Sequence, residues 1–438
     1  MRYCLLPLGC QMNKSDAERI ANVLENMGFT ATEIEEEADI LGIVACSVRQ
    51  KSINRVYGRI QKWTHWKKEK NLFTFLSGCV LPADEEQLKS QFDLIFKIND
   101  LPKLPELIQK LFIEKKRKHI VQPCNDFEDG FWKIKPKYSS SFQAFVPIQN
   151  GCNKFCTYCA VPYTRGREVS RNSSEILEEI FSLVNNGYKS ITLLGQNVNS
   201  YGKDKAEEKS FAELLQSIGE FGQQTKKEFW IYYTSPHPSD MKSEVFEVMA
   251  KYPCIAKQIH LPIQSGDDTV LKRMNRSYTL EHYRQLIHDI HRILPTATIF
   301  TDIIVGFSGE TEEQFQHTID ALREFEYDMA YIAQYSPRPG AKSATWEDDV
   351  PAEEKKRRFH DLTQALREVS LIRNQRMIGK TYRVLVEGVD PRNDGYLLAH
   401  TEGLIPVHFK ETNQSLIGTF VDLKVESVTC FAGSGILV

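Results

Sequence analysis

The 438 residues exceed what one hydrophobic core usually holds, so about two or three domains are expected. Hydrophobic residues make up 41% and charged residues 26%, the balance of a soluble globular protein, and a formal net charge of -3 excludes bulk attraction to nucleic acid. No stretch approaches about 18 uninterrupted apolar residues, which leaves no membrane-spanning helix to expect. The opening MRYCLLPLGCQMNKSD turns polar at once and lacks a small-residue cleavage site, so a cytoplasmic chain is expected.

The first third alternates strand and helix. Tyr3 to Leu8 is a short apolar strand, and Ser15 to Met27 a helix with Ser15 as its cap. Ile40 to Ala45 is a second strand, a helix follows from about Val48 to Trp66, and Leu72 to Leu76 is a third strand. This pattern predicts a Rossmann-like α/β domain with a parallel sheet over residues 1–115. Lys115 to Ser141 carries KKRKH, QPCNDFEDG and KPKYSSS without periodicity, and 116–141 reads as a linker. KKRKH suits a solvated helix end or an RNA-contacting patch about equally.

Six apolar strands follow at 145–149, 191–195, 229–233, 258–264, 298–306 and 329–336, with amphipathic stretches such as Ser174 to Asn185 and Glu312 to Phe325 between them. They predict a partial (β/α)6 barrel over 142–370, with chemistry at the C-terminal strand ends, near Gln149, Gln196, Ser235, Gln264, Gly306 and Tyr335. TDIIVGFSGET (301–311) reads as a barrel turn, and His237 as a turn residue rather than a ligand. After a polar helical run with KKRR (355–358), short strands at 381–389, 396–401, 403–409 and 419–428 predict a small antiparallel β-barrel of the OB type over 376–438. Seven Lys/Arg and seven Asp/Glu from Leu371 onward leave that module uncharged overall. An RNA partner would need specific contacts there, from residues such as Arg376, Lys380, Arg383, Arg392 and Lys410. Such a module is expected to fold independently.

The ten cysteines argue for metal ligation rather than disulfides in a cytosolic chain. Cys152, Cys156 and Cys159 are spaced CxxxCxxC after the first barrel strand. Thiolates are soft donors suited to iron–sulfur clusters. Three of them leave one iron of a [4Fe-4S] cluster open, and an open iron can bind the amino and carboxylate groups of S-adenosylmethionine (SAM). Electron transfer into the sulfonium then releases a 5′-deoxyadenosyl radical. A structural zinc site is the alternative, but zinc normally takes four closed ligands and no fourth lies at fixed spacing nearby. Tyr158 suits either adenine stacking or simple packing. Gln196, Ser235 and Gln264, at strand ends, are further candidates for SAM contact.

Cys10, Cys46 and Cys79 each follow a strand of the N-terminal sheet, so their loops should emerge at one edge. They are candidates for a second [4Fe-4S] cluster, against the alternative of three unrelated buried cysteines. Cys4, Cys124, Cys254 and Cys430 show no partner pattern.

With these motifs the chain resembles the methylthiotransferases, and most closely their tRNA-modifying branch, over essentially its whole length. GCQMN (9–13) with Ser15, Asp16 and Glu18, ACSVRQ (45–50) and SGCV (77–80) resemble the family's three N-terminal cysteine motifs. NGCNKFCTYCAVPYTRGRE (150–168) is similar to the radical-SAM signature. LLGQNVNSYG (193–202), YTSPHP (233–238), LPIQSG (261–266) and YSPRPG (335–340) match further segments. The C-terminal module resembles the TRAM domain. Two departures stand out: Val44 and Ala45 precede Cys46 where the branch commonly has Asn-Thr, and Ala17 replaces a small polar residue.

The resemblance implies sulfur insertion at an unactivated C–H of N6-isopentenyladenosine, just 3′ of the tRNA anticodon, followed by methylation of that sulfur. It implies two [4Fe-4S] clusters, two uses of SAM, a tRNA substrate, and an electron donor and a sulfur donor of unknown identity. A monomer without membrane attachment is expected. A methylthiotransferase acting on threonylcarbamoyl-adenosine in tRNA or on a ribosomal-protein aspartate is the nearest alternative. A non-catalytic Fe–S RNA-binding sensor is the alternative of another class.

Overall fold

The computed structural model describes residues 1–46, 50–114 and 130–438. KKRKH and Cys124 lie outside the described residues, as do the first three residues of SVRQ. The chain forms two compact units. The first comprises Met1–Ser140 with Cys159–Arg167 and Arg338–Ala341, and the second comprises Ser141–Tyr158, Glu168–Pro337 and Lys342–Val438.

The first unit is built on a five-stranded, wholly parallel sheet. Its strands are β1 (Arg2–Pro7), β2 (Thr30–Ala31), β3 (Ile40–Cys46), β4 (Phe73–Cys79) and β5 (Leu94–Ile95), in the order β2-β1-β3-β4-β5. Every residue of β3 and β4 is buried, as expected of strands covered on both faces. Helices α1 (Gln11–Asn26), α2 (Gln50–Glu69), α3 (Pro82–Leu88) and α4 (Leu104–Glu114) provide the cover. Ile20, Val23 and Leu24 of α1 join Ile108 and Phe112 of α4 in one apolar cluster, and Val56, Ile60 and Trp63 of α2 build another. This strand order is that of a doubly wound sheet, whose crevice opens beyond the carboxyl ends of β1 and β3.

One expectation is corrected here. Ser15 does not cap α1; the helix starts four residues earlier, with Cys10 at the cap position. Gly9, at φ +127°, turns the chain from β1 directly into the helix, so Ser15 falls within the second turn. There it is buried and accepts a hydrogen bond from Arg19 Nη1 at 2.8 Å.

In the second unit, parallel strands β6 (Gln143–Pro147), β9 (Ser190–Leu194) and β10 (Trp230–Tyr233) pair in the order β10-β9-β6. Strands β11 (Gln258–His260), β12 (Thr298–Val305) and β13 (Met329–Gln334) form a second parallel set, and a parallel bridge between Ile231 and Ile255 links the two. A short antiparallel pair, β7 (Gln149–Asn150) with β8 (Val169–Ser170), lies beyond β6. Helices α6 (Ser173–Asn185), α7 (Phe211–Thr225), α8 (Ser243–Lys251), α9 (Asp268–Arg273), α10 (Leu280–Ile293) and α11 (Glu312–Phe325) alternate with the strands, and α12 (Ala352–Gln375) follows them. This is the expected partial barrel. The KKRR run lies on α12, where Lys355 pairs with Asp348, Arg357 with Glu354 and Asp361, and Arg358 with Glu310 and Glu354.

The C-terminal strands β14 (Thr381–Val389), β15 (Tyr396–Thr401), β16 (Pro406–Lys410), β17 (Phe420–Val428) and β18 (Gly433–Leu437) close a barrel in the order β14-β15-β16-β18-β17. Two details differ from the sequence reading. Strand β18 adds a fifth strand, and its pairing with β16 is parallel while the others are antiparallel. The module is also less independent than expected. Leu385 and Phe420 cover Trp230 and Tyr232, with the Trp230 and Phe420 rings 4.6 Å apart. Met377, Ile405 and Val425 cover Phe300. Arg383 is already engaged, its Nε and Nη2 donating to Glu228 at 2.8 and 2.7 Å and its Nη1 to Asp422 at 3.2 Å.

Candidate metal centres

In the first unit, Cys10 follows β1, Cys46 ends β3 and Cys79 ends β4, with Cys46 and Cys79 paired in register. Parallel pairing therefore delivers all three thiols to one sheet edge. Two glycines make the approach possible. A Cβ on Gly9 would stand 2.5 Å from Cys46 Cβ, and one on Gly78 (φ +101°) would stand 2.5 Å from the Ala45 carbonyl. No other residue fits without moving the ligand loops.

Asn13, in the first turn of α1, organises the edge. Its Nδ2 donates to the carbonyls of Leu8 (3.0 Å) and Val44 (3.2 Å), tying β1 to β3. Its Oδ1 accepts from the Cys10 and Cys79 thiols, each at 3.7 Å. The Val44 carbonyl also accepts from Leu8 N at 2.8 Å. At Val44 it is thus the backbone that carries this tie, which a change of side chain there leaves in place.

Interaction with the Cys46 thiol, opposed by burial, brings Cys10 down to about 6 and also moves Cys79 down, while Cys46 is pushed up. Two further segments of this unit add cations. Arg165, just beyond the single helical turn α5 (Val161–Thr164), is buried, with Nε 2.8 Å from Cys79 Sγ and Nη2 on Asp16 and, at 3.4 Å, on Asn13 Oδ1. Arg338, in YSPRPG, is lowered by burial, against the charges of Asp84 and Cys46. Sequence reasoning did not find Asn13, Arg165 or Arg338 as site residues. Residues 13 and 165 are 152 positions apart, and no spacing rule links them.

In the second unit, Cys152 and Cys156 are buried in the loop after β7, and burial raises Cys152 to about 11. The loop is pinned by side chains from the strand ends and from the turn after α9. Gln196 accepts from Gly151 N. Asn275 donates to the carbonyls of Lys154 (3.2 Å) and Phe155 (3.0 Å). Thr157 donates its hydroxyl to Arg273 O at 2.9 Å. Arg276 is half-buried, with Nη1 3.5 Å from Cys156 Sγ, Nη2 on Pro262 O and Nε on the Tyr278 hydroxyl. Cys159 opens the segment counted with the first unit and is partly exposed.

Tyr158 packs against Phe307, ring centroids 6.4 Å apart and edge-on, within a cluster that includes Val270 and Met274. Ser235 and Gln264 adopt left-handed backbone at φ +59° and +70°, and Gln264 is bonded through its backbone to Asp302 and Ile304. Gln149 donates to Ser200 Oγ at 3.0 Å and leaves its buried Oε1 without a hydrogen-bond partner among the described residues. Ser200 in turn donates to Glu168 at 2.6 Å, and burial raises that carboxyl. His237 is the turn residue expected, its ring accepting from Ser239 N.

Three family models match the chain: the uncharacterized protein family UPF0004 over residues 2–97, the radical SAM superfamily over 146–322 and the TRAM domain over 375–438. The tRNA-2-methylthio-N(6)-dimethylallyladenosine synthase of Carboxydothermus hydrogenoformans is 39% identical, covering 100% of this chain and 99% of its own. That of Dictyoglomus thermophilum is 38% identical, covering 99% and 98%. Among solved structures, the radical S-adenosylmethionine methyltransferase TsrM from Kitasatospora setae matches 76% of this chain and 72% of its own at TM-score 0.56 and 13% identity, a likeness of fold. The chain belongs to the tRNA-2-methylthio-N(6)-dimethylallyladenosine synthases, within the radical SAM methylthiotransferases.

Proposed function

We propose that this enzyme converts N6-dimethylallyladenosine in tRNA to its 2-methylthio derivative. The observation that carries the reading is the full-length match to synthases of that nucleoside. In this reading Cys10, Cys46 and Cys79 hold one [4Fe-4S] cluster, and Cys152, Cys156 and Cys159 hold another. The donor sets fit. Three soft thiols meet at one edge of the first unit, two of them already shifted toward thiolate. A guanidinium stands beside one thiol in each set to offset buried negative charge.

When bound, the clusters and SAM supply the electron, the radical chemistry, the sulfur and the methyl group that side chains lack at an unactivated C–H. The chain's own residues hold the donors still. Gln196, Asn275 and Thr157 fix the backbone around Cys152 and Cys156. Tyr158, Gln196, Ser235 and Gln264 remain the proposed SAM contacts. Tyr158 would act as a wall, because its ring already packs edge-on against Phe307. Gln196 has one amide oxygen committed to Gly151 and would keep its NH2 for the ligand. Lys410, exposed at the end of β16, is the better RNA contact than Arg383, which is held by two carboxylates.

The test is anaerobic reconstitution with iron and sulfide, followed by incubation with a reductant, SAM and tRNA bearing dimethylallyladenosine. Nucleoside mass spectrometry should show the methylthio product. Product from threonylcarbamoyl-adenosine tRNA alone would overturn the assignment.

A further inference from the structure

Arg165 lies six residues beyond Cys159 in the chain, yet its side chain meets the N-terminal cysteines. Arg165 and Asp16 are both buried, with side chains 2% and 0% exposed. Buried guanidinium–carboxylate pairs frequently set the fork against both carboxylate oxygens. Here the fork is divided. Nε faces Cys79 Sγ at 2.8 Å, Nη2 takes Asp16 Oδ2, and Asp16 Oδ1 has no hydrogen-bond partner among the described residues. The cation is therefore shared between a ligand thiol, a carboxylate and, at 3.4 Å, the Asn13 amide oxygen.

We propose that Arg165 is a positioning residue that sets the charge balance of the Cys10–Cys46–Cys79 centre, with Asp16 as its counterweight. The inference rests on the reading that these cysteines hold a four-iron cluster. Reduction adds an electron to a buried, already negative group. A nearby cation, and an N–H aimed at a ligand sulfur, both favour the reduced form. A buried guanidinium acts strongly because little water screens it. Asp16 works in the opposite direction by drawing part of that charge away from the sulfur.

The test uses the full chain carrying Cys152→Ala, Cys156→Ala and Cys159→Ala, so that only the N-terminal centre reports. Iron per chain, midpoint potential by EPR-monitored titration, and iron loss to a chelator are measured after anaerobic reconstitution. Arg165→Gln should lower the potential and speed iron loss about tenfold to a hundredfold. Asp16→Asn should shift the potential upward, and Arg165→Lys should keep it closer to the parent than Arg165→Gln does. A purely scaffolding role would weaken both partners' variants without shifting the potential in opposite directions. Unmoved potentials in Arg165→Gln and Asp16→Asn overturn the inference. Should Arg165→Gln take up no iron, Arg165→Lys and Asp16→Asn decide. An upward shift in Asp16→Asn with iron retained in Arg165→Lys supports the charge role, and any other result overturns it. Absence of iron from the parent would overturn the cluster reading and the inference together.

Discussion

Asn13→Ala removes the side chain that ties β1 to β3 and should loosen the edge on which the N-terminal cysteines stand. The amide is fully buried and donates to Leu8 O at 3.0 Å and Val44 O at 3.2 Å. Each such bond contributes about 0.5–1.5 kcal/mol net. Its Oδ1 also accepts from Arg165 Nη2 at 3.4 Å. Removing it leaves a buried charged donor with one fewer acceptor, at a cost of about 1–3 kcal/mol. The Val44 carbonyl keeps Leu8 N at 2.8 Å, so the penalty there is small. The expected loss is about 2–4 kcal/mol, confined to the first unit. Iron-free protein isolates this effect from metal binding. Native-state hydrogen exchange at the Leu8 amide is the assay, because that amide spans β1 and β3 and reports local opening. At about 1.4 kcal/mol per tenfold, exchange should accelerate roughly thirtyfold to several hundredfold. Exchange within about twofold of the parent would show that Asn13 does not hold the edge, and the argument from its hydrogen bonds would fail.

Reconstituted protein should hold about eight irons, and Cys10→Ala, Cys46→Ala and Cys79→Ala together should leave about four; unchanged iron in the triple variant would remove the N-terminal centre. Cys156→Ala should abolish formation of 5′-deoxyadenosine from SAM in reduced protein, since no spare thiol lies at the motif's spacing, and a normal rate would refute that ligand assignment. Truncation before Met377 should lower the melting temperature of the remaining protein as well as weaken tRNA binding, because Trp230, Tyr232 and Phe300 lose their cover; an unchanged melting transition by calorimetry would show that the module does not support the core.

Spacing and alternation carried much of this protein into view. CxxxCxxC is a local pattern, so Cys152, Cys156 and Cys159 could be singled out without any fold. Cys10, Cys46 and Cys79 are distant in sequence, but each follows an apolar run of a strand–helix alternation, and parallel strands present their carboxyl ends at one edge. What the strand pattern could not supply was local geometry. The cap of α1 moved from Ser15 to Cys10 because Gly9 turns the chain at positive φ, which depends on how β1 meets the helix. Strand β18, GSGIL, has two glycines and little apolar signal, so only its neighbours β16 and β17 define it.

The sequence by itself determined the donor types, the main alternation of strands and helices, and the family. Tertiary structure decided which charges reach the thiols and which surfaces are covered. Arg165 meets Cys79 across 86 positions, and Arg383 is held by Glu228 across 155. The physical reason is that ligand identity and strand periodicity are properties of short segments. A charge's partner and an apolar surface's cover depend on chain brought back from far away, and those contacts leave no periodic mark in the sequence.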